Sequence, residues 1–162
     1  MNEGVTPVES DEEAKAAEAA PAAAPAAPGP AAAHDGLTAV IIEDDTISRT
    51  LLRGILRNCG VVVVGESSLG RKGGELVASH EPNIVCLDIG LPDMDGTELL
   101  GAIRSRQPTA HVIMVTGVSE TERVRAALAG GAVGYIVKPY SESRIRSTLN
   151  RLFPGYNFDA RR

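Results

Sequence analysis

The sequence predicts an α/β fold, a five-stranded parallel sheet with helices on both faces, and three observations support this. Five short apolar runs alternate with five stretches of helical periodicity between residues 37 and 153. The runs are rich in Val and Ile, as in strands buried on both faces. Capping residues and glycines fall at the joints between runs and stretches. Repeated β-then-α units make the strands parallel, because each crossover helix returns the chain to the same end of the sheet. Right-handed crossovers leave few topologies, of which the flavodoxin-like order 2-1-3-4-5 is common at this size.

Strands are expected at 38–42, 61–65, 84–87, 112–115 and 133–137. In the first helix Ile47, Leu51 and Ile55 share a face, with Leu52 and Leu56 beside it. The stretch 73–79 is the weakest helix, carrying only Leu76 and Val77. Leu99, Leu100 and Ile103 form the next stripe, then Val124, Ala127 and Leu128, and last Ile145, Leu149 and Leu152. Ser119, Thr121 and Glu122 belong to a capping box, Gly130 and Gly131 end that helix, and Ser141 can cap the last one.

Charge is unevenly placed along the 162 residues. Residues 1–36 hold seven acids and one lysine, whereas the remainder carries a net charge of only +1. The first segment is mostly Ala, Pro and Glu. It has too little to bury to offset its ordering entropy, so a disordered tail is expected there. A folded unit at 37–153 and a short tail at 154–162 complete the expected organisation. The folded part lacks the basic excess that phosphate backbones attract, so no nucleic acid partner is expected. No apolar stretch approaches a membrane span. The acidic, proline-broken start does not read as an export signal. Cys59 and Cys86 have no metal-ligand spacing, and His34, His80 and His111 are isolated. A reduced, cytoplasmic chain is the simplest expectation.

In an open parallel sheet of this order, function gathers at the carboxyl ends of the strands near the switch point between strands 1 and 3. Strand 1 ends in Glu43, Asp44 and Asp45; strand 3 ends in Asp88; strand 4 ends in Thr116; and strand 5 ends in Lys138. Glu43, Asp44 and Asp88 therefore converge. Three carboxylates in one pocket repel one another, and Lys138 balances only one of them. A hard divalent cation would neutralise the rest. Mg2+ suits a site with few direct carboxylates, retained waters and phosphate oxygens. An incoming phosphoryl group would then meet the cation, the Lys138 ammonium and the Thr116 hydroxyl, which is the stabilisation phosphoryl transfer needs. Asp88 would be the nucleophile, forming an acyl phosphate.

With these residues in place, the chain resembles the receiver domains of two-component response regulators, of the single-domain, chemotaxis-regulator-like type. The resemblance rests on Ile41-Ile-Glu-Asp-Asp45, Val85-Cys-Leu-Asp-Ile-Gly-Leu-Pro-Asp-Met-Asp-Gly96, Val115-Thr-Gly117 and Gly134-Tyr-Ile-Val-Lys-Pro139. It implies that Asp88 is the phosphoacceptor. It also implies that Asp44, Asp88 and the Gly90 carbonyl bind Mg2+ directly and that Glu43 acts through water. Thr116 and Lys138 are implied as phosphoryl-oxygen partners, Gly117 as a position that must stay small, and Lys138-Pro139 as a cis peptide. In the implied switch, Thr116 moves toward the phosphoryl group and Tyr135 fills the vacated space. That repacks the face of helix 4, strand 5 and helix 5 where a downstream protein would bind. Tyr140 is expected only to pack at the mouth of the last helix. The two positions that flank the water path, Gly90 and Val118, offer no polar side chain, so slow loss of the phosphoryl group is expected.

The implied partners are a sensor histidine kinase or His-phosphotransfer protein and a protein target, with the chain a monomer or weak dimer. Nine residues follow Phe153, too few for an output domain of their own. The chain is therefore expected to signal through a partner and to be no enzyme in the usual sense. Two alternatives compete with this reading. An aspartate-based, Mg2+-dependent phosphohydrolase would need an acid two residues after its nucleophile, where Gly90 stands. A phosphorylation-independent interaction module would not need all five polar groups. The run from Gly65 to Lys72 imitates a phosphate-binding loop but lacks Lys directly after its second Gly.

Overall fold

The computed structural model describes residues 36–117 and 121–158. The residues before Gly36, Val118 and the Ser119 cap therefore lie outside the described part. The strands are β1 Thr38–Ile42, β2 Val62–Ser67, β3 Ile84–Asp88, β4 His111–Thr116 and β5 Gly134–Val137. The helices are α1 Thr46–Asn58, α2 Gly70–His80, α3 Gly96–Arg106, α4 Thr121–Ala129 and α5 Glu142–Leu152. All pairings are parallel, and the sheet order is β2-β1-β3-β4-β5, as the alternation of elements predicts.

Alternation along each strand divides the core into two layers. Ala39, Ile41, Ile84 and Cys86 pack with Leu52, Ile55 and Leu56 of α1 and with Ile145 and Leu149 of α5. Val40, Ile42, Val85 and Leu87 face the other way, onto α2, α3 and α4. After α5 the chain folds back, so that Phe158 is buried in the first layer beside Phe153.

The elements depart from the sequence pattern in three places. β2 is not buried on both faces: only Ser67 is buried, and Val62 is 43% exposed. It is one of the two edge strands, with no neighbour on its outer side among the described residues. In α1 the core face is Leu52, Ile55 and Leu56, while Ile47 and Leu51 are 79% and 45% exposed. Successive helix residues are about 100° apart, so two adjacent stripes fit one pattern and docking selects between them. α2 is longer than its apolar content suggests because its glycines permit close packing. A Cβ on Gly73 would lie 2.6 Å from Ile42 Cδ1. Its free N-terminal amides are capped from outside, by Asp93 of the loop after β3.

Candidate functional site

The acidic run after β1 splits into three environments. Glu43 is fully buried and Asp44 is exposed. Asp45 caps α1, accepting from the Ser48 amide at 2.7 Å, and its hydrogen bonds to Ser48 hold its carboxyl below the usual range. The order of the sheet puts β3 beside β1, with Ile42 opposite Leu87. Oxygens of Glu43, Asp44 and Asp88 consequently lie within 4.8 Å of one another.

Asp88 is 5% exposed and accepts from the Gly90 amide at 3.1 Å. The loop that follows is tightly folded. The Gly96 amide returns to the Ile89 carbonyl at 2.9 Å, and any Cβ on Gly96 would collide with the Asp88 carbonyl. Asp95 caps α3 and receives Arg123 of α4 at 2.7 Å; Arg123 also donates to the Ile89 carbonyl at 3.0 Å. Together with the Asp93 cap, these bonds tie the loop after Asp88 to α2, α3 and α4.

The end of β5 supplies the cation. Lys138 Nζ lies 2.9 Å from Glu43 Oε2 and 3.3 Å from Asp88 Oδ2, so one ammonium joins two buried carboxylates. Its backbone is held to the Thr116 carbonyl at 2.8 Å, and the Lys138-Pro139 peptide is cis. Thr116 is 1% exposed, and its hydroxyl donates to the Gly117 carbonyl at 3.0 Å. Among the described residues, a Cβ on Gly117 would meet nothing within 4 Å. Tyr135 stands opposite Met114 and packs, half-buried, against the layer of α2, α3 and α4. By strand alternation Thr116 projects to that same face.

The electrostatics follow from burial. Desolvation first, and then the adjoining carboxyls of Glu43 and Asp44, push Asp88 up to about 7. Burial alone would lower Lys138, but its bond to Glu43 and the charges of Asp88 and Glu43 outweigh this and hold it above its ordinary value. Three carboxyls face one ammonium. The donor set is all hard oxygen, with Asp44 open to water, and this fits a small divalent cation better than a soft one.

Tyr140 differs from its expected role. Its ring does pack in the first core layer, but its hydroxyl donates to Glu43 Oε2 at 3.1 Å. Sequence reasoning also missed the Asp93 cap and the Arg123 bridge. The only signal for Tyr140 was a hydroxyl-bearing aromatic directly after Lys138-Pro139; the other two contacts are between residues far apart in the chain. Among the described residues, no helix is long and apolar enough to cross a membrane.

Residues 39–150 match the response regulator receiver domain. The chain is 32% identical over 117 residues to the chemotaxis protein CheY of Thermotoga maritima, covering 72% of this chain and 98% of that protein. It is 33% identical over 115 residues to CheY of Listeria monocytogenes, covering 71% and 97%. Among solved structures, the receiver domain of AraT, a response regulator from Geobacillus stearothermophilus, superposes with a TM-score of 0.67 at 26% identity, covering 72% and 92%. The alternating elements, the strand order, the acidic cluster and these likenesses agree, and the chain belongs to the response regulator receiver domain family.

Proposed function

We propose that this chain is a phosphorylation-controlled signalling domain in which Asp88 accepts a phosphoryl group from a histidine kinase or His-phosphotransfer protein. The observation that carries this reading is the Lys138 ammonium lodged between Glu43 and Asp88, with Asp44 alongside. In the transfer, an Asp88 carboxylate oxygen forms a bond to phosphorus while the bond from phosphorus to the donor imidazole nitrogen breaks. The electron pair leaves with the imidazole. Asp88 must be ionised to act, and Lys138 favours that form.

Asp44, Asp88 and the Gly90 carbonyl would hold Mg2+, with Glu43 reaching it through water. The bound cation would screen the carboxylates and neutralise charge on the transferring oxygens. Lys138 and the Thr116 hydroxyl would take the remaining phosphoryl oxygens, and Gly117 leaves them room. Movement of Thr116 would let Tyr135 turn inward, biasing the face of α4, β5 and α5 toward a protein target. Residues 37–153 would be the unit that carries this function, acting in the cytoplasm.

Incubation with a small phosphodonor such as acetyl phosphate tests the reading. Intact-mass analysis should show one phosphoryl group on the wild type with Mg2+, and none with a chelator or in Asp88→Asn. Equal labelling of Asp88→Asn would refute it.

A further inference from the structure

We propose that Tyr140 is a positioning residue whose hydroxyl holds the Glu43 carboxylate when Lys138 turns away to a phosphoryl oxygen; this rests on the reading of Asp88 and Lys138 given above. Glu43 is fully buried, so each of its oxygens needs donors from the protein. Oε1 accepts from the Asp45 amide at 3.0 Å and from Lys138 Nζ at 3.0 Å. Oε2 lies 2.9 Å from Lys138 Nζ as an ion pair and accepts a hydrogen bond from the Tyr140 hydroxyl at 3.1 Å. The Lys138 ammonium thus lies against both oxygens, and the Asp45 amide and the Tyr140 hydroxyl each serve one of them.

That arrangement matters because Lys138 has two employments. In the state described here it bridges Glu43 and Asp88. With a phosphoryl group on Asp88, the ammonium moves toward the new oxygens and leaves Glu43. The Asp45 amide then still satisfies Oε1, and the Tyr140 hydroxyl still satisfies Oε2. A phenylalanine at position 140 would keep the ring in its apolar layer but leave Oε2 without a protein donor once Lys138 departs. An unsatisfied buried acceptor is costly, more so when charged. Before Lys138 moves, the same substitution leaves Oε2 in its ion pair with the Lys138 ammonium and Oε1 with both of its donors. Loss of the hydroxyl should therefore fall on the phosphorylated state and spare the resting one.

The test compares wild type with Tyr140→Phe in two equilibrium titrations read by thermal shift: Mg2+ alone, and beryllium fluoride, a phosphoryl mimic, at saturating Mg2+. Tyr140→Phe should bind Mg2+ within about twofold of wild type. It should bind the mimic about tenfold more weakly, which corresponds to about 1.4 kcal/mol. Equal weakening in both titrations would mean that the hydroxyl has a general structural role, and unchanged affinity in both would mean that it has none; either result overturns the inference alone. A wild type that responds to neither ligand would overturn the reading of the site itself, and this inference with it.

Discussion

In the role proposed for it, Asp88 must do two opposed things: sit buried beside two other carboxyls, and ionise so that it can attack phosphorus. Burial and those neighbours raise it from 3.8 to about 7. A carboxyl raised on folding favours the folded state in full below its unfolded value, and that contribution is lost as pH rises through the folded value. Without metal, the wild type should therefore lose stability between about pH 4 and pH 8 relative to Asp88→Asn, which has no such proton to lose. At pH 8 the variant should be the more stable by at least about 1 kcal/mol, the size of two unit charges 4 Å apart in a water-like dielectric. Chemical denaturation in chelator at pH 5 and pH 8 checks this, and a gap that does not widen at pH 8 would contradict it. At this scale the charged members of the site were legible in the sequence, because strand ends and topology alone bring Glu43, Asp44, Asp88 and Lys138 together. The direction of the Tyr140 hydroxyl was not, because it depends on how the chain leaves β5 and meets β1.

Elements were legible where their burial is set by the middle of the sheet. β1, β3 and β4 are covered on both faces, and their runs of Val and Ile show it. β2 was misjudged because an edge position is a property of the sheet, invisible in a local run. The stripe on α1 was misplaced for a similar reason, since the residues it presents to the core are chosen by docking. α2 shows how packing overrides propensity. Gly73→Ala would gain about 1 kcal/mol of helix propensity. Its Cβ would press on three carbons of Ile42, all closer than 3.0 Å, and overpacking costs about 1–3 kcal/mol. Gly54 of α1 has nothing within 4 Å of such a Cβ. Gly73→Ala should thus destabilise the protein, while Gly54→Ala should stabilise it by up to about 1 kcal/mol. Urea denaturation of the two variants would show opposite signs, and two shifts of the same sign would contradict the packing account.

Over the whole molecule, the fold works as a device for assembling charge. Sheet order places β1 next to β3, and β4 and β5 complete the row, so Thr116 and Lys138 reach the same end of the sheet as the acidic cluster. The loop after Asp88 is then bonded to α2 through Asp93, to α3 through Asp95 and to α4 through Arg123. A change at Asp88 is thereby connected to helices that carry no reacting group. The proposed role of the whole assembly requires that an acyl phosphate form at that one carboxylate. Borohydride reduces an acyl phosphate to an alcohol with release of phosphate, so an aspartyl phosphate becomes homoserine. After treatment with a small phosphodonor and Mg2+, followed by tritiated borohydride and peptide mapping, the label should appear as homoserine at position 88 alone and should vanish with a chelator. Label at position 44 or 45, or label at 88 that is indifferent to Mg2+, would contradict it.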